Sequence, residues 1–142
     1  MKTDFLDAHH RHWEDAELLK KRGRWANADH LYGLSAECGL KRLMQAFGME
    51  IDPGTGGPKE WPDKVHIMGE KGNAWDRYES YRQGRKPAKY PLPVQNPFQD
   101  WDISQRYAHR AGFSKEIVKS HRVGAQLVRK LIHRADREGN LS

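Results

Sequence analysis

Ser114 to Glu138 reads SKEIVKSHRVGAQLVRKLIHRADRE, and its spacing decides the fold class. At about 100° per residue, Ile117, Val118, His121, Gly124, Ala125, Val128, Leu131, Ile132 and Ala135 share one side of a helix. Lys115, Lys119, Arg122, Gln126, Arg129, His133 and Arg137 fall on the other side, as a basic rail about 30 Å long. Ser114 is a natural N-cap and Gly139 a natural C-terminal stop. One face is core and the other is charged, so this helix closes a bundle.

Upstream, the pattern continues as helix. Phe5, Ala8, Trp13, Ala16 and Leu19 predict a first helix from Asp4 to about Arg22, stopped by Gly23. A second runs from about Arg24 to Phe47 and ends at Gly48. Its apolar residues, from Leu31 to Phe47, lie nearly all round it, which marks a central helix. Gly33, Ser35, Ala36 and Gly39 are small enough to admit close neighbours. Glycine in a helix interior costs about 1 kcal/mol, so two of them imply a packing reason. Asp52 to Pro58 is a loop by composition, without the Gly-Lys-Ser/Thr ending of a phosphate loop.

Val65, Met68, Trp75, Tyr78 and Tyr81 predict more helix from about Trp61 to Arg85, broken or kinked at Gly69 and Gly72. Residues 85–102 hold Pro87, Pro91, Pro93 and Pro97, which forbid a helix and disfavour a central strand. Tyr90, Leu92, Val94, Phe98 and Trp101 predict that this long loop packs on the body. The expected architecture is a single all-α domain over residues 1–142. It is a four- to five-helix up-and-down bundle with a long Pro-rich loop before the last helix.

Composition narrows the function. The chain has 142 residues and a formal net charge of +6. Residues 1–50 hold eight Lys/Arg against eight Asp/Glu, residues 51–100 eight against seven, and residues 101–142 nine against four. Excess positive charge gathered in one segment points to a polyanion partner such as RNA or a nucleotide. No apolar run approaches the length of a bilayer span, and the N-terminus lacks the pattern of a signal peptide. A cytoplasmic protein with no membrane contact is expected. The single Cys38 excludes a disulfide framework and a Cys-rich zinc site. His9, His10 and His12 cluster on the first helix without an obvious third ligand, so neither metal nor cofactor is expected.

Arg106, Tyr107, His109 and Arg110 precede the last helix and carry the catalytic possibility. Arginine offers phosphate a planar, permanently charged fork, and histidine moves protons near neutral pH. Such a pair could cleave RNA without metal, the imidazole removing the 2′-hydroxyl proton while the guanidinium stabilises the phosphorane. The other reading of the same residues is a polar surface turn. Arg106, Arg110, Lys115, Lys119, Arg122, Arg129 and His133 form the expected nucleic-acid contact set. His121, on the apolar face, is expected to be a hydrogen-bonded core residue, and Glu37 with Lys41 an i,i+4 ion pair. A second basic-aromatic cluster joins Arg77, Arg82, Arg85, Lys86 and Lys89 to Tyr78, Tyr81 and Tyr90.

Three stretches resemble the opening of a HEPN domain: His12 to Leu19, Gly23 to Ala28, and His30 to Glu37 followed by Leu40-Lys41. Trp101 to Tyr107 before a long final helix is also similar to HEPN-like bacterial proteins. The likeness covers about half the chain; residues 49–100 carry none of it. It implies a helical bundle, often a homodimer. It further implies a metal-independent ribonuclease of a toxin–antitoxin or phage-defence system, or a nucleotide-binding module, or a silent partner of a nucleotidyltransferase. The family's catalytic motif sets four to six residues between an Arg and a following His, in a late helix. Arg106 and His109 stand closer than that, as do Arg129 and His133, whereas Arg24 and His30 fit the spacing but fall in the second helix.

Overall fold

The computed structural model describes residues 1–141, and among them it has four α-helices and no strand. Helix α1 spans Phe5–Lys21, opened by the Asp4 carboxylate, which accepts the Asp7 amide at 3.0 Å. The chain reverses at Gly23, whose φ of +71° suits a residue without Cβ, and the Arg24 amide donates to the Leu19 carbonyl at 2.9 Å. Helix α2, Trp25–Ala46, runs back along α1 and forms the centre of the molecule. Its Tyr32, Ala36, Leu40, Leu43 and Met44 are fully buried.

Residues 61–85 depart from the helix that the apolar spacing predicts. They form a 3-10 turn, Trp61–Asp63, and then the six-residue helix α3, Ala74–Glu79, capped by Asn73. Gly69 and Gly72 fall between the two, and Gly72 takes a φ of +124°. The chain therefore turns where a continuous helix would have run. Helix α4, Lys115–Arg137, packs against α2, with the Ser114 hydroxyl accepting the Ile117 amide at 3.2 Å. The bundle thus has three long helices and one short one.

The Pro-rich segment is a strap laid across α2 and α4. Tyr90, Phe98 and Trp101 are buried as expected, while Val94 is 97% exposed and packs on nothing. The two glycines expected to serve packing do so differently. A Cβ at Gly39 would stand 2.5 Å from Val128 Cγ1 and 2.7 Å from His9 Nδ1, so this glycine lets α1 and α4 approach α2. At Gly33 a Cβ would stand 2.2 Å from the Trp101 indole, so this glycine admits the strap rather than a helix. Gly124 of α4 accepts Pro97 and Phe98 in the same way. An indole that buries roughly 200 Å² contributes about 5 kcal/mol, enough to hold a proline-broken segment in place.

Candidate functional site

Two chain segments far apart in sequence build one face: residues 22–30 at the start of α2, and residues 100–115 from strap to α4. Asp29 of α2 joins them. Its carbonyl accepts the Trp101 indole N–H at 3.2 Å, and its carboxylate accepts the Gln105 amide at 2.7 Å. The other carboxylate oxygen takes His121 Nδ1 at 2.6 Å, while His121 Nε2 meets Asp100 at 2.6 Å. With a carboxylate on each ring nitrogen, His121 is held as an imidazolium, stacked on Phe98 at 5.3 Å. Burial opposes the charge, and the two carboxylates outweigh it, so the pKa is raised above the ordinary 6.5. The core histidine expected from sequence is therefore the clasp that fixes the strap.

At one end of this face lies a cavity of about 720 Å³, lined by Arg22, Gly23, Arg24, Trp25, Ala26, Asn27, Ala108, His109 and Arg110. Arg22, Arg24 and Arg110 make no ion pair or side-chain hydrogen bond, and no carboxylate lines the cavity. Lys115 Nζ lies 5.8 Å from the centre of the Trp25 ring, adding a fourth cation. His109 is exposed, and its Nδ1 accepts the Ala111 amide at 3.0 Å. That bond puts the ring proton on Nε2, so neutral His109 meets a ligand as a donor.

A second group lies about two turns farther along α2 from Asp29. The buried Glu37 carboxylate is held by Lys41 at 3.2 Å on one oxygen and by His66 Nδ1 at 2.9 Å on the other. Burial would raise the Glu37 pKa, but His66 and Lys41 bring it below its usual value. The bond to Glu37 raises the pKa of His66. Arg106 lies close enough to act on both His66 and His30, and burial followed by Arg106 depresses His30. His12 of α1, also depressed by burial, completes the group. His66 escaped the sequence reading because it sits in an aperiodic loop, whereas the Glu37–Lys41 spacing was visible.

The sequence-predicted residues thus divide. Arg106 stacks on Tyr107 at 4.8 Å beside His30 and His66, while His109 and Arg110 line the cavity with Arg24. Arg106 acts electrostatically on His30, and Arg24 and His109 line one cavity, links across the two pairings weighed from sequence. The rail on α4 is interrupted. Arg122 pairs with Glu17 at 2.6 and 3.2 Å and lies over Trp13, and Arg129 lies over the same ring and bonds His10 at 3.2 Å. These two cations seal α4 to α1, whereas Lys119, His133 and Arg137 stay exposed. The 77–90 cluster divides too: Tyr78 and Tyr90 are core, Arg77 pairs with Asp63 and Arg82 with Glu79, while Arg85, Lys86 and Lys89 stay exposed.

His12 parts from His9 and His10, whose rings lie 5.3 Å apart. His9 is buried against Ser35, His10 faces His133, and His12 faces the Glu37 group. No group of three metal-ligating side chains converges among the described residues, and none of their helices is long and apolar enough to cross a membrane. Comparison with known proteins gives no match: no family model matches the chain, nor does any curated protein or solved structure.

Proposed function

We propose that this protein binds single-stranded RNA, or a nucleotide as its minimal unit, through the arginine cavity between the α1–α2 turn and the 108–110 segment. One observation carries the reading: three arginines without ion pairs line one cavity together with a tryptophan, and no carboxylate is among them. Guanidinium forks fit phosphate oxygens, and an indole edge or face fits an unpaired base. Tyr107, 79% exposed beside Arg106, offers a second stacking surface on the same side of the strap. The succession of two long helices, a strap and a long last helix supports a HEPN-like module. A place in toxin–antitoxin or phage-defence systems follows from that likeness.

Fluorescence anisotropy with a labelled single-stranded RNA across a salt series tests the proposal. Replacing Arg24 and Arg110 by Gln removes two phosphate contacts and flattens the slope of log affinity against log salt by about 1.4. An unchanged slope and affinity in the double variant would exclude the cavity as the binding surface.

A second reading, metal-independent cleavage of the bound RNA, draws support from Arg106 lying beside His30. RNA cleavage in excess chelator that disappears in both Arg106→Gln and His30→Gln is its expected signature. Intact RNA with wild-type protein that binds it counts against cleavage and leaves binding standing.

A further inference from the structure

The unsatisfied atoms of the Glu37 group say what it lacks. His12 Nδ1 and His30 Nδ1 are buried with no hydrogen-bond partner. A buried orphan donor is rarer and costlier than an under-satisfied acceptor, so each of these nitrogens is the bare one and the proton sits on Nε2. Neither Nε2 is closed off in this way, and neither has a partner in the protein. His66 gives its Nδ1 proton to Glu37, and its ring is half exposed, so its Nε2 is free at the surface. Arg106 is exposed and makes no ion pair. Asp15 and Arg11 of α1 act on His12 with opposite charge, and the other two acceptors nearby are already engaged. Glu37 has Lys41 on one oxygen and His66 on the other, and Asp102 caps the following turn through the Ser104 amide and hydroxyl.

What remains open is a set of donors: three imidazole Nε2 atoms and one guanidinium. We propose that His12, His30, His66 and Arg106 form a subsite for a phosphoryl oxyanion, separate from the arginine cavity. A tetrahedral phosphoryl group accepts from several directions at once through its unprotonated, negatively charged oxygens, which suits such an array better than a neutral ligand. The bond to Glu37 raises the pKa of His66 and so favours its charged form, which an anion would meet here. The subsite does not depend on RNA binding in the cavity. If both hold, a nucleotide lying in the cavity could also place a phosphate here, because Asn27 and Ala108 of the cavity lie three and two residues from His30 and Arg106.

Side-chain NMR of the histidines, in full-length protein at slightly acidic pH, tests this with three probes: inorganic phosphate, a nucleoside 5′-monophosphate and the unphosphorylated nucleoside. Chloride at matched ionic strength serves as the reference. Phosphate is expected to shift the His12, His30 and His66 rings in a saturable way, and the nucleoside to leave them unmoved. With the monophosphate, shifts at these rings together with His109 mean that one ligand spans both places. Shifts at the three rings alone mean that the phosphoryl group is recognised by itself. Arg106→Gln weakens phosphate about tenfold or more, the effect of losing one charge-assisted bond, while Lys130→Gln, an equal charge change elsewhere, leaves it unaltered. The Arg106 side chain is exposed, makes no ion pair or side-chain hydrogen bond and lies over its neighbour Tyr107, so its loss is not expected to unfold the protein. Two results overturn the subsite: rings that respond to phosphate no more than to chloride, or phosphate shifts that persist at full strength in Arg106→Gln.

Discussion

Gly33 sets the distance between α2 and the strap. With the Trp101 ring 2.2 Å from where a Cβ would stand, Gly33→Ala must displace the indole and with it the Asp29–Trp101 bond. A loss of about 1–3 kcal/mol in urea unfolding is expected, typical of overpacking a filled site. At Gly23, where nothing lies within 4 Å, the cost of alanine arises instead from the positive φ. Two histidines act on stability in opposite directions. The raised pKa of His121 means that its contribution is fully present below the unfolded value of 6.5 and is lost as pH rises through the folded value. For His9, burial brings the pKa down to about 4, so its contribution is present above 6.5 and is lost as pH falls toward 4. Urea midpoints across pH are expected to lose their alkaline decline in His121→Gln and part of their acid decline in His9→Gln. Unaltered profiles would remove these residues from the account. His121 was legible in sequence as a polar residue on an apolar stripe, but its partners were not, because Asp29 and Asp100 carry no periodic mark.

Among the elements, α4 shows best what spacing can and cannot tell. Its stripe and both ends were readable, since a 3.6-residue period with Ser before it and Gly after it has one physical solution. Its charged side was readable as charged but not as occupied, because Glu17 and Trp13, which take up Arg122, belong to a helix about a hundred residues earlier. Arg122→Gln is therefore expected to cost about 1 kcal/mol of stability through the lost pair with Glu17 and to leave RNA affinity nearly unchanged. Arg110→Gln, with no partner to lose, is expected to do the reverse. Thermal melts and anisotropy on the two variants separate the roles, and matching losses of affinity would return the rail to the interface. The stretch 61–85 misled in the opposite way. Its aromatics fall at helical intervals because several of them meet one core, while Gly72 and the capping Asn73 restart the chain at α3. Spacing reports which side is buried; continuity depends on the residues between.

At the scale of the whole molecule, the candidate site belongs to no single element. Its cations come from the α1–α2 turn, the strap and the turn before α4, and the Asp29–His121 clasp holds these together with the Trp101 indole. Hydrogen exchange is expected to show residues 96–112 opening as a unit, and Trp101→Ala to speed that opening while slowing RNA association less than it speeds release. Exchange of the strap at the same rate in variant and wild type would mean that the indole does not anchor it. The clasp also has a consequence for the chain as it is made. Contacts between α1 and α2 are local and can form once about fifty residues have emerged. Until α4 follows, Asp29 has neither Gln105 nor His121, and its carboxylate must stay hydrated at the surface of an open hairpin. The nascent protein therefore carries Arg22 and Arg24 before the 108–110 segment is there to complete the cavity. On the proposed reading it binds only after Asp29 can be buried, and synthesis itself would delay recognition.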